Sequence, residues 1–412
     1  MYIDHIALKD FRTFKSAKIS FVHPDADFKE LGLPTPRLPN INLLLGNNGL
    51  GKTSLLRGIA AAALGPAVRS SGLYAYRLVR RGPEHRRKKM PRGARQAVID
   101  ALFTMHRQDQ TRVGSNLKSK VRVMRRTDLE EWRWGRRDES RWRPIYSAES
   151  EAFFFVGYGA TRRVEKKEQE NLGSRKSTAF VRAQRVRGLF EDSHSLIPLN
   201  VWLPSQNKGR FTQVVNLIND AMGPGHFEFR GEMESDEYIF RKQGLRVPFP
   251  ALSDGYRAFV GWLGDLLYHI CTTCPSGKKL TENRGIVMVD EIDLHLHPKW
   301  QLSVLPTLAQ VFPNIQFIVT SHSPLIVGSL EWMNIILMQE GADQSSAPRR
   351  IRLAVHGLDS DQVLVTEFFG MESTRADPKQ RALKDLTLKA REGDTKAATR
   401  LLHEMSRGVE AT

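Results

Sequence analysis

The stretch that most limits what this chain can become is Gly46-Asn47-Asn48-Gly49-Leu50-Gly51-Lys52-Thr53, which fits the pattern G-x-x-x-x-G-K-[ST]. It follows Ile41-Asn42-Leu43-Leu44-Leu45, an apolar run that reads as a buried parallel strand, and opens Thr53 to Leu64, an Ala- and Leu-rich helix. In a strand–loop–helix setting the glycines let main-chain N–H groups wrap a string of phosphates. Lys52 then neutralises the β and γ charges, and the Thr53 hydroxyl ligates Mg²⁺. Asn47, Asn48, Gly49, Gly51 and Ser54 are the other expected nucleotide contacts of this loop.

Three later segments stand in the order such a site needs. Ile286-Val287-Met288-Val289-Asp290-Glu291 is an apolar strand ending in two carboxylates. Beside a phosphate loop, Asp290 is placed to hold the metal through water and Glu291 to polarise the attacking water. Upstream, Leu252-Ser253-Asp254-Gly255-Tyr256-Arg257 precedes a helix whose apolar face is Phe259, Leu263, Leu266, Leu267 and Ile270. Ser-Asp-Gly alone is a good helix cap, yet the first N–H groups of that helix are also an anion site. Phe317 to Thr320 is a third apolar strand, and it leads to His322, which can donate to a γ-phosphate as charge develops there.

The set resembles the Walker A, signature, Walker B and H-loop series of ABC ATPases. Asp290-Glu291-Ile292-Asp293-Leu294-His295-Leu296-His297-Pro298 and Thr320-Ser321-His322-Ser323-Pro324 are similar to the RecF-like ATPases of bacterial overcoming-lysogenisation-defect proteins and other phage-defence systems. Asp10-Phe11-Arg12-Thr13-Phe14 resembles the N-terminal lobe of RecF and SMC heads, which adds Arg12 to the expected nucleotide contacts. Gly157-Tyr158-Gly159-Ala160-Thr161-Arg162-Arg163 is similar to a segment of the same defence ATPases, where its arginines could touch a phosphate or a partner; a tight glycine turn is the alternative. The resemblance implies Glu291 as catalytic base, His322 as γ-phosphate sensor, and Thr53 and Asp290 at the metal. It also implies that Ser253 and Gly255 contact ATP held by a second copy of the chain, so that hydrolysis needs two heads. Two departures accompany it. The family's Mg²⁺-touching glutamine has no clear counterpart, with Gln184, Gln206 and Gln213 as candidates, and His297 stands where SMC heads carry an aspartate.

The fold expected is an α/β ABC ATPase head with a mostly parallel central sheet, an antiparallel β edge and a helical signature lobe. Its edge is a hairpin of strands Tyr2 to Lys9 and Ala17 to Val22. Residues 1–65 carry the first part of the head, 66–150 a basic insertion, 151–370 the rest and 371–412 a helical tail turning at Gly393-Asp394. The insertion holds Arg86-Arg87-Lys88-Lys89, Trp132-Arg133-Trp134 and Arg141-Trp142-Arg143, where the tryptophans either stack on bases or fill a small core. A second basic stretch, Arg162 to Arg187, reads as a loop with some helix.

A net charge of +17 draws the chain to polyanions, nucleic acid first. Neither a signal-peptide layout nor an apolar run long enough to span a bilayer is found, so a cytoplasmic protein without a membrane partner is expected. The two cysteines, Cys271 and Cys274, are too few for a zinc site and read as thiols near a helix end. The cluster Asp290, Glu291, Asp293, His295 and His297 invites a metal-enzyme reading, and an extended segment would throw both histidines to one side; a dedicated transition-metal site is not expected, because the ATPase reading already accounts for the first two carboxylates and the segment's place.

Val355 to Met371 resembles the C-terminal ends of Septu-type and retron-linked ATPases, which work with a separate nuclease. No nuclease constellation is recognised here, so an effector, nuclease or toxin, is expected on another polypeptide. The leading expectation is therefore a phage-defence ATPase that uses ATP and Mg²⁺, pairs with itself, and senses nucleic acid or an invader protein. The alternative is a RecF-like DNA-repair ATPase; a transporter's energy-coupling subunit fits less well, because of the Asp290 to Pro298 spelling and the basic insertion.

Overall fold

The computed structural model describes residues 1–81, 93–105, 114–127, 129–135, 139–142, 154–164, 182–374, 377–391 and 393–406. The run 86–89 and Arg143 lie outside them, as does most of the second basic stretch. A six-stranded sheet is built from β3 (Ile41–Leu45), β7 (Phe155–Tyr158), β13 (Gly285–Val289), β14 (Ile315–Thr320), β15 (Ile335–Glu340) and β16 (Ser346–Arg349). Across the sheet their order is β16-β15-β3-β14-β13-β7. All neighbours are parallel except β15 and β16. Every residue of β3, β7, β13 and β14 is buried, which is why these strands are apolar runs rather than alternating ones.

A second sheet consists of β1 (Tyr2–Phe11), β2 (Phe14–Ser20), β4 (Gln96–Thr104), β5 (Asn116–Arg126) and β6 (Leu129–Trp134), in the order β2-β1-β4-β5-β6 with each strand antiparallel to its neighbours. Two expectations change here. The first hairpin turns on Arg12-Thr13 alone, because Phe11 pairs with Phe14 and strand pairing extends through residues that read as a polar turn. The stretch 66–150, expected as an insertion, supplies three of the five strands of this sheet through β4, β5 and β6. In β5 the basic residues Lys118, Lys120 and Arg122 occupy outward positions and are exposed, while Leu117, Val121 and Val123 are buried.

Helix α1 (Lys52–Leu64) packs against strands of both sheets, and Leu55, Leu56, Ile59 and Ala60 to Leu64 are all buried. Its alanines are small enough to admit both layers, and an added Cβ at Gly58 would stand in ordinary contact with Leu8, Phe11 and Ile6. The tryptophans join this core. Trp142 is fully buried, donates its indole N–H to the Lys118 carbonyl (3.1 Å) and meets Trp134 and Phe103 edge-on. Trp132 donates to the Leu73 carbonyl (2.8 Å) and packs on Phe190. Of the two roles open to these rings, they fill the core one.

The helices Lys208–Met222 and Asp254–Thr273 pack together beside a small antiparallel sheet of β10 (Glu228–Glu234), β11 (Glu237–Lys242) and β12 (Leu245–Pro248). A two-residue parallel pair, β8 (Arg163–Val164) and β9 (Ser195–Leu196), lies against the Asp254–Thr273 helix. The chain divides at Gly357, earlier than the expected tail, into a unit Met1–Gly357 and a unit Leu358–Thr412. In the second unit the helices Asp377–Arg391 and Thr395–Ser406 pack on each other, with Gly393 at φ 97° in the turn. No helix among the described residues is long and apolar enough to cross a membrane.

Trp142 lies at the meeting of β5, β6 and the end of α1, where a Cβ added at Gly65 would strike its ring. Trp142→Ala is expected to lower the free energy of unfolding by about 3–5 kcal/mol in denaturant titrations. Exposed Arg141→Ala should change it by less than about 0.5 kcal/mol.

Candidate active site

Strands β3, β14 and β13 are neighbours and parallel, so the segments leaving them emerge at one edge of the sheet. Val289 lies beside Val319, which sets Asp290 next to Thr320. Thr320 Oγ1 donates to Asp290 Oδ1 (2.6 Å), and Thr53 Oγ1, on the first turn of α1, donates to Asp290 Oδ2 (2.6 Å). The Glu291 N–H donates in turn to Thr320 Oγ1 (2.7 Å). One carboxylate therefore ties the loop–helix segment to the ends of two strands.

The glycines of the loop are positioned by closeness as well as by dihedral angle. Gly46 (φ 141°) and Gly51 (φ 87°) both lie where side chains are unfavourable. A Cβ on Gly46 would collide with the Met338 carbonyl, and one on Gly51 with Thr13 and the Phe14 ring, so the β1–β2 hairpin tip closes over the loop. Lys52 Nζ donates to the carbonyls of Gly46 (2.7 Å) and Asn47 (3.1 Å). Helix geometry leaves the first N–H groups of α1 without intrahelical partners, and Gly51 has no side chain to cap them. They are donors available to an anion.

Arg12, Asn48, Gly49, Gly51, Lys52, Thr53, Ser54, Asp290, Glu291 and His322 line one cleft of about 330 Å³. Asn47 is exposed and turns its carbonyl to Lys52. Thr13 and Arg57 also line the cleft, and neither is among the residues that the motifs single out. Arg57 is four residues beyond Thr53, on the same face of α1, and that spacing is the signal the sequence holds for it. Burial lowers the Arg57 pKa, and the neighbouring Arg12 guanidinium lowers it further. Two like charges held together in a cleft favour a polyanion between them. Burial also lowers the pKa of Lys52, against the pull of Asp290, Glu291 and Asp293. For His322, burial and then Lys52 push the pKa below 6.5, so its imidazole is mostly neutral at pH 7.

Glu291 sits at φ 49°, a conformation costing a non-glycine residue about 1–3 kcal/mol. Residues 290–295 form successive turns, with His295 also at positive φ, so the two histidines are not aligned as on an extended strand. His297 Nδ1 accepts the Lys299 N–H (3.3 Å) at the start of a short helix. Among the described residues no three His, Cys, Asp or Glu side chains are grouped to hold a metal ion. An oxygen set is present instead. The Thr53 hydroxyl and Asp290 carboxylate, in contact at the mouth of the phosphate loop, have the hard-donor chemistry that Mg²⁺ takes.

Ser253 and Gly255 do not line the cleft. Ser253 is exposed at the start of the Asp254–Thr273 helix, and its hydroxyl makes no capping bond. Gly255 backs onto the His295 carbonyl so closely that a Cβ would collide with it, which packs the helix start against the turn after β13. Gln184 accepts from Arg187 (3.4 Å), Gln213 accepts the Leu280 N–H (3.0 Å), and neither these nor Gln206 line the cleft. Arg162 contacts its own chain, donating to the carbonyls of Asp290 (2.7 Å) and Glu291 (2.9 Å). Burial lowers its pKa to about 10. It also walls a separate cavity of about 430 Å³ with Leu199, Tyr238, Phe249 and Arg257. In the C-terminal unit Asp359-Ser360-Asp361 starts a helix, with Asp359 in a capping box with Gln362. Cys271 and Cys274 are free thiols at a helix end, and burial pushes Cys271 up to about 12.

A family model described as "AAA domain, putative AbiEii toxin, Type IV TA system" matches residues 114–328, and one described as "AAA domain" matches residues 5–220. Each spans a little over half of the chain. The chain is similar to the Septu protein PtuA of Bacillus mycoides (strain KBAB4), at 24% identity over 377 residues, 91% of this chain and 46% of that protein. It is also similar to the retron Ec83 probable ATPase of Escherichia coli, at 32% identity over 147 residues, 35% of this chain and 27% of that protein. The chain thus matches less than half the length of these curated relatives. Among solved structures, the SmcHead bound to the C-winged helix domain of ScpA aligns over 86% of this chain and 98% of that one, with a TM-score of 0.51 at 16% identity, a likeness of fold. With the phosphate loop and the acidic strand end joined through Asp290, and with those models matching, the chain belongs to the AAA-domain family of P-loop proteins.

Proposed function

We propose that this protein is a Mg²⁺-dependent ATPase of antiphage defence that closes with a second copy around ATP and thereby holds or releases a separate nuclease or toxin. The observation that carries the ATPase reading is the hydrogen-bonded line from Thr53 through Asp290 and Thr320 to the main chain of Glu291. In this reading Lys52 and the N–H groups at the start of α1 bind the β and γ phosphates, and Thr53 and Asp290 hold the cation. Mg²⁺ held by these two residues would offset the negative charge of the phosphates. Glu291 orients and deprotonates the attacking water, while neutral His322 donates to the γ-phosphate. Arg12 and Arg57 flank the polyphosphate. Ser253 and Gly255, outside the cleft of their own chain, serve the ATP of the second copy.

The defence assignment rests on likeness to the Septu and retron proteins. A contact with nucleic acid has its own support in the outer face of the five-stranded sheet, which exposes Lys9, Lys18, Lys118, Lys120, Arg122 and Arg133. The ladders set Arg122 beside Arg133 and, on the other side, Val98, which pairs with Lys9. Asp100 and Glu131 are paired to Lys120 (3.6 Å) and Arg133 (2.6 Å), leaving a net positive face fit for phosphodiesters.

Glu291→Gln is expected to lower kcat for ATP by about 10²–10⁴-fold while ATP still binds, and Lys52→Ala to abolish ATP binding, both read by phosphate release and equilibrium binding. ATP-loaded Glu291→Gln protein should sediment as an even number of heads, and a strict monomer overturns the shared-site reading. Pulled from its own cells with its neighbouring genes intact, that variant is expected to carry a nuclease or toxin; recombination proteins alone would favour repair. Replacing Lys118, Lys120 and Arg122 by Gln should flatten the dependence of log K for duplex DNA on log salt by about 0.9 for each phosphate that is no longer neutralised.

A further inference from the structure

The parallel pairing of β7 with β13 runs from Phe155 beside Ile286 to Tyr158 beside Val289. The chain leaving β7 therefore travels next to the chain leaving β13. What leaves β13 is Asp290-Glu291, and what leaves β7 is Gly159-Ala160-Thr161-Arg162. Gly159 passes so close to the Gly188 carbonyl that no side chain would fit there. The turn that follows brings the Arg162 guanidinium onto two successive carbonyls, Nη1 to Asp290 O (2.7 Å) and Nη2 to Glu291 O (2.9 Å).

Glu291 is thus held from two sides. Its N–H donates to Thr320 Oγ1 (2.7 Å) and the N–H of Ile292 donates to the Thr320 carbonyl (3.0 Å), while Arg162 takes the carbonyls. A side chain launched from φ 49° aims at one place only if its neighbours leave the backbone no alternative. Two acceptors in succession call for a donor with a planar, rigid fork, which arginine has and lysine lacks. Arg162 does not line the cleft; its hydrogen bonds to this segment are made to main-chain carbonyls, and its charge lies within electrostatic reach of the Asp290 and Glu291 carboxylates.

We propose that Arg162 is the positioning residue for Glu291, a two-pronged clamp on the Asp290 and Glu291 carbonyls that fixes where the Glu291 carboxylate stands in the cleft. The proposal rests on the ATPase reading above and deepens it. It assigns to the Gly-Tyr-Gly-Ala-Thr-Arg segment a role within its own chain rather than on a phosphate or a partner.

The test is a double-mutant cycle on the full chain. ATP dissociation constant, KM and kcat are measured for the wild type, Arg162→Lys and Arg162→Gln, and again with each placed in the Glu291→Gln background, with melting temperatures recorded throughout. Arg162→Lys is expected to lower kcat by about 10–100-fold with the ATP dissociation constant within about 3-fold of wild type, because misplacement of a catalytic group costs rate rather than binding. In the Glu291→Gln background the same substitution should change the residual rate by less than about 2-fold, since the clamp has no base left to place. Equal losses in both backgrounds would mark a purely structural contribution and overturn the proposal, as would an unchanged kcat. Should Arg162→Gln fail to fold, Arg162→Lys decides the matter. A wild-type protein that binds ATP without hydrolysing it sinks the ATPase reading itself and this role with it; a hydrolysing wild type matched by Arg162→Lys sinks this role alone.

Discussion

Both oxygens of the Asp290 carboxylate are taken by hydroxyls, one from the first turn of α1 and one from the end of β14. The rest of the site depends on that arrangement. A carboxylate buried to 5% exposure must have its lone pairs satisfied, and these donors satisfy them only if β3, β13 and β14 end at a common level. The order of strands in the sheet, with β14 between the phosphate-loop strand and the acidic strand, is therefore a requirement of the chemistry as much as of packing.

Around this centre the two sheets divide the work. The parallel strands β3, β13 and β14 are dry on both faces and supply ends at fixed spacing, whereas the antiparallel sheet keeps one face in water and turns its hairpin tip, Arg12-Thr13, against the loop. Helix α1 is the shared element, buried against both layers, and it carries Lys52, Thr53 and Arg57 into the cleft. Cationic groups are gathered there under partial burial: Lys52, Arg12 and Arg57 all have pKa values lowered by desolvation. Such a cluster is held at some cost in desolvation and gains on meeting phosphate.

Much of this was legible. The strand Ile41 to Leu45, the helix after it, the acidic strand end and the helix following Ser253 all lie where the pattern of apolar residues puts them, to within three residues at either end. Periodicity and glycine spacing are local properties, and local properties can be read along a line. Less was legible for 66–150, where a high density of arginine and lysine hid the alternation of β5, and the apolar alternation of β4 and the Trp-bearing β6 was passed over with it. Lys118, Lys120 and Arg122 stand on outward positions of an ordinary strand, and Trp134 and Trp142 belong to the core beneath.

The sequence by itself determined the chemistry on offer: a phosphate loop, two carboxylates, a histidine, and a surplus of positive charge. Tertiary structure alone decided which groups meet. Thr320 reaches Asp290 across 30 residues and Thr53 reaches it across 237, both because parallel strands end side by side. In the same way the pairing of β7 with β13 lays Arg162 on the Glu291 backbone across 129 residues. Strand order and register set these distances through main-chain hydrogen bonds and burial summed over the whole sheet, and neither is written in any short run of residues.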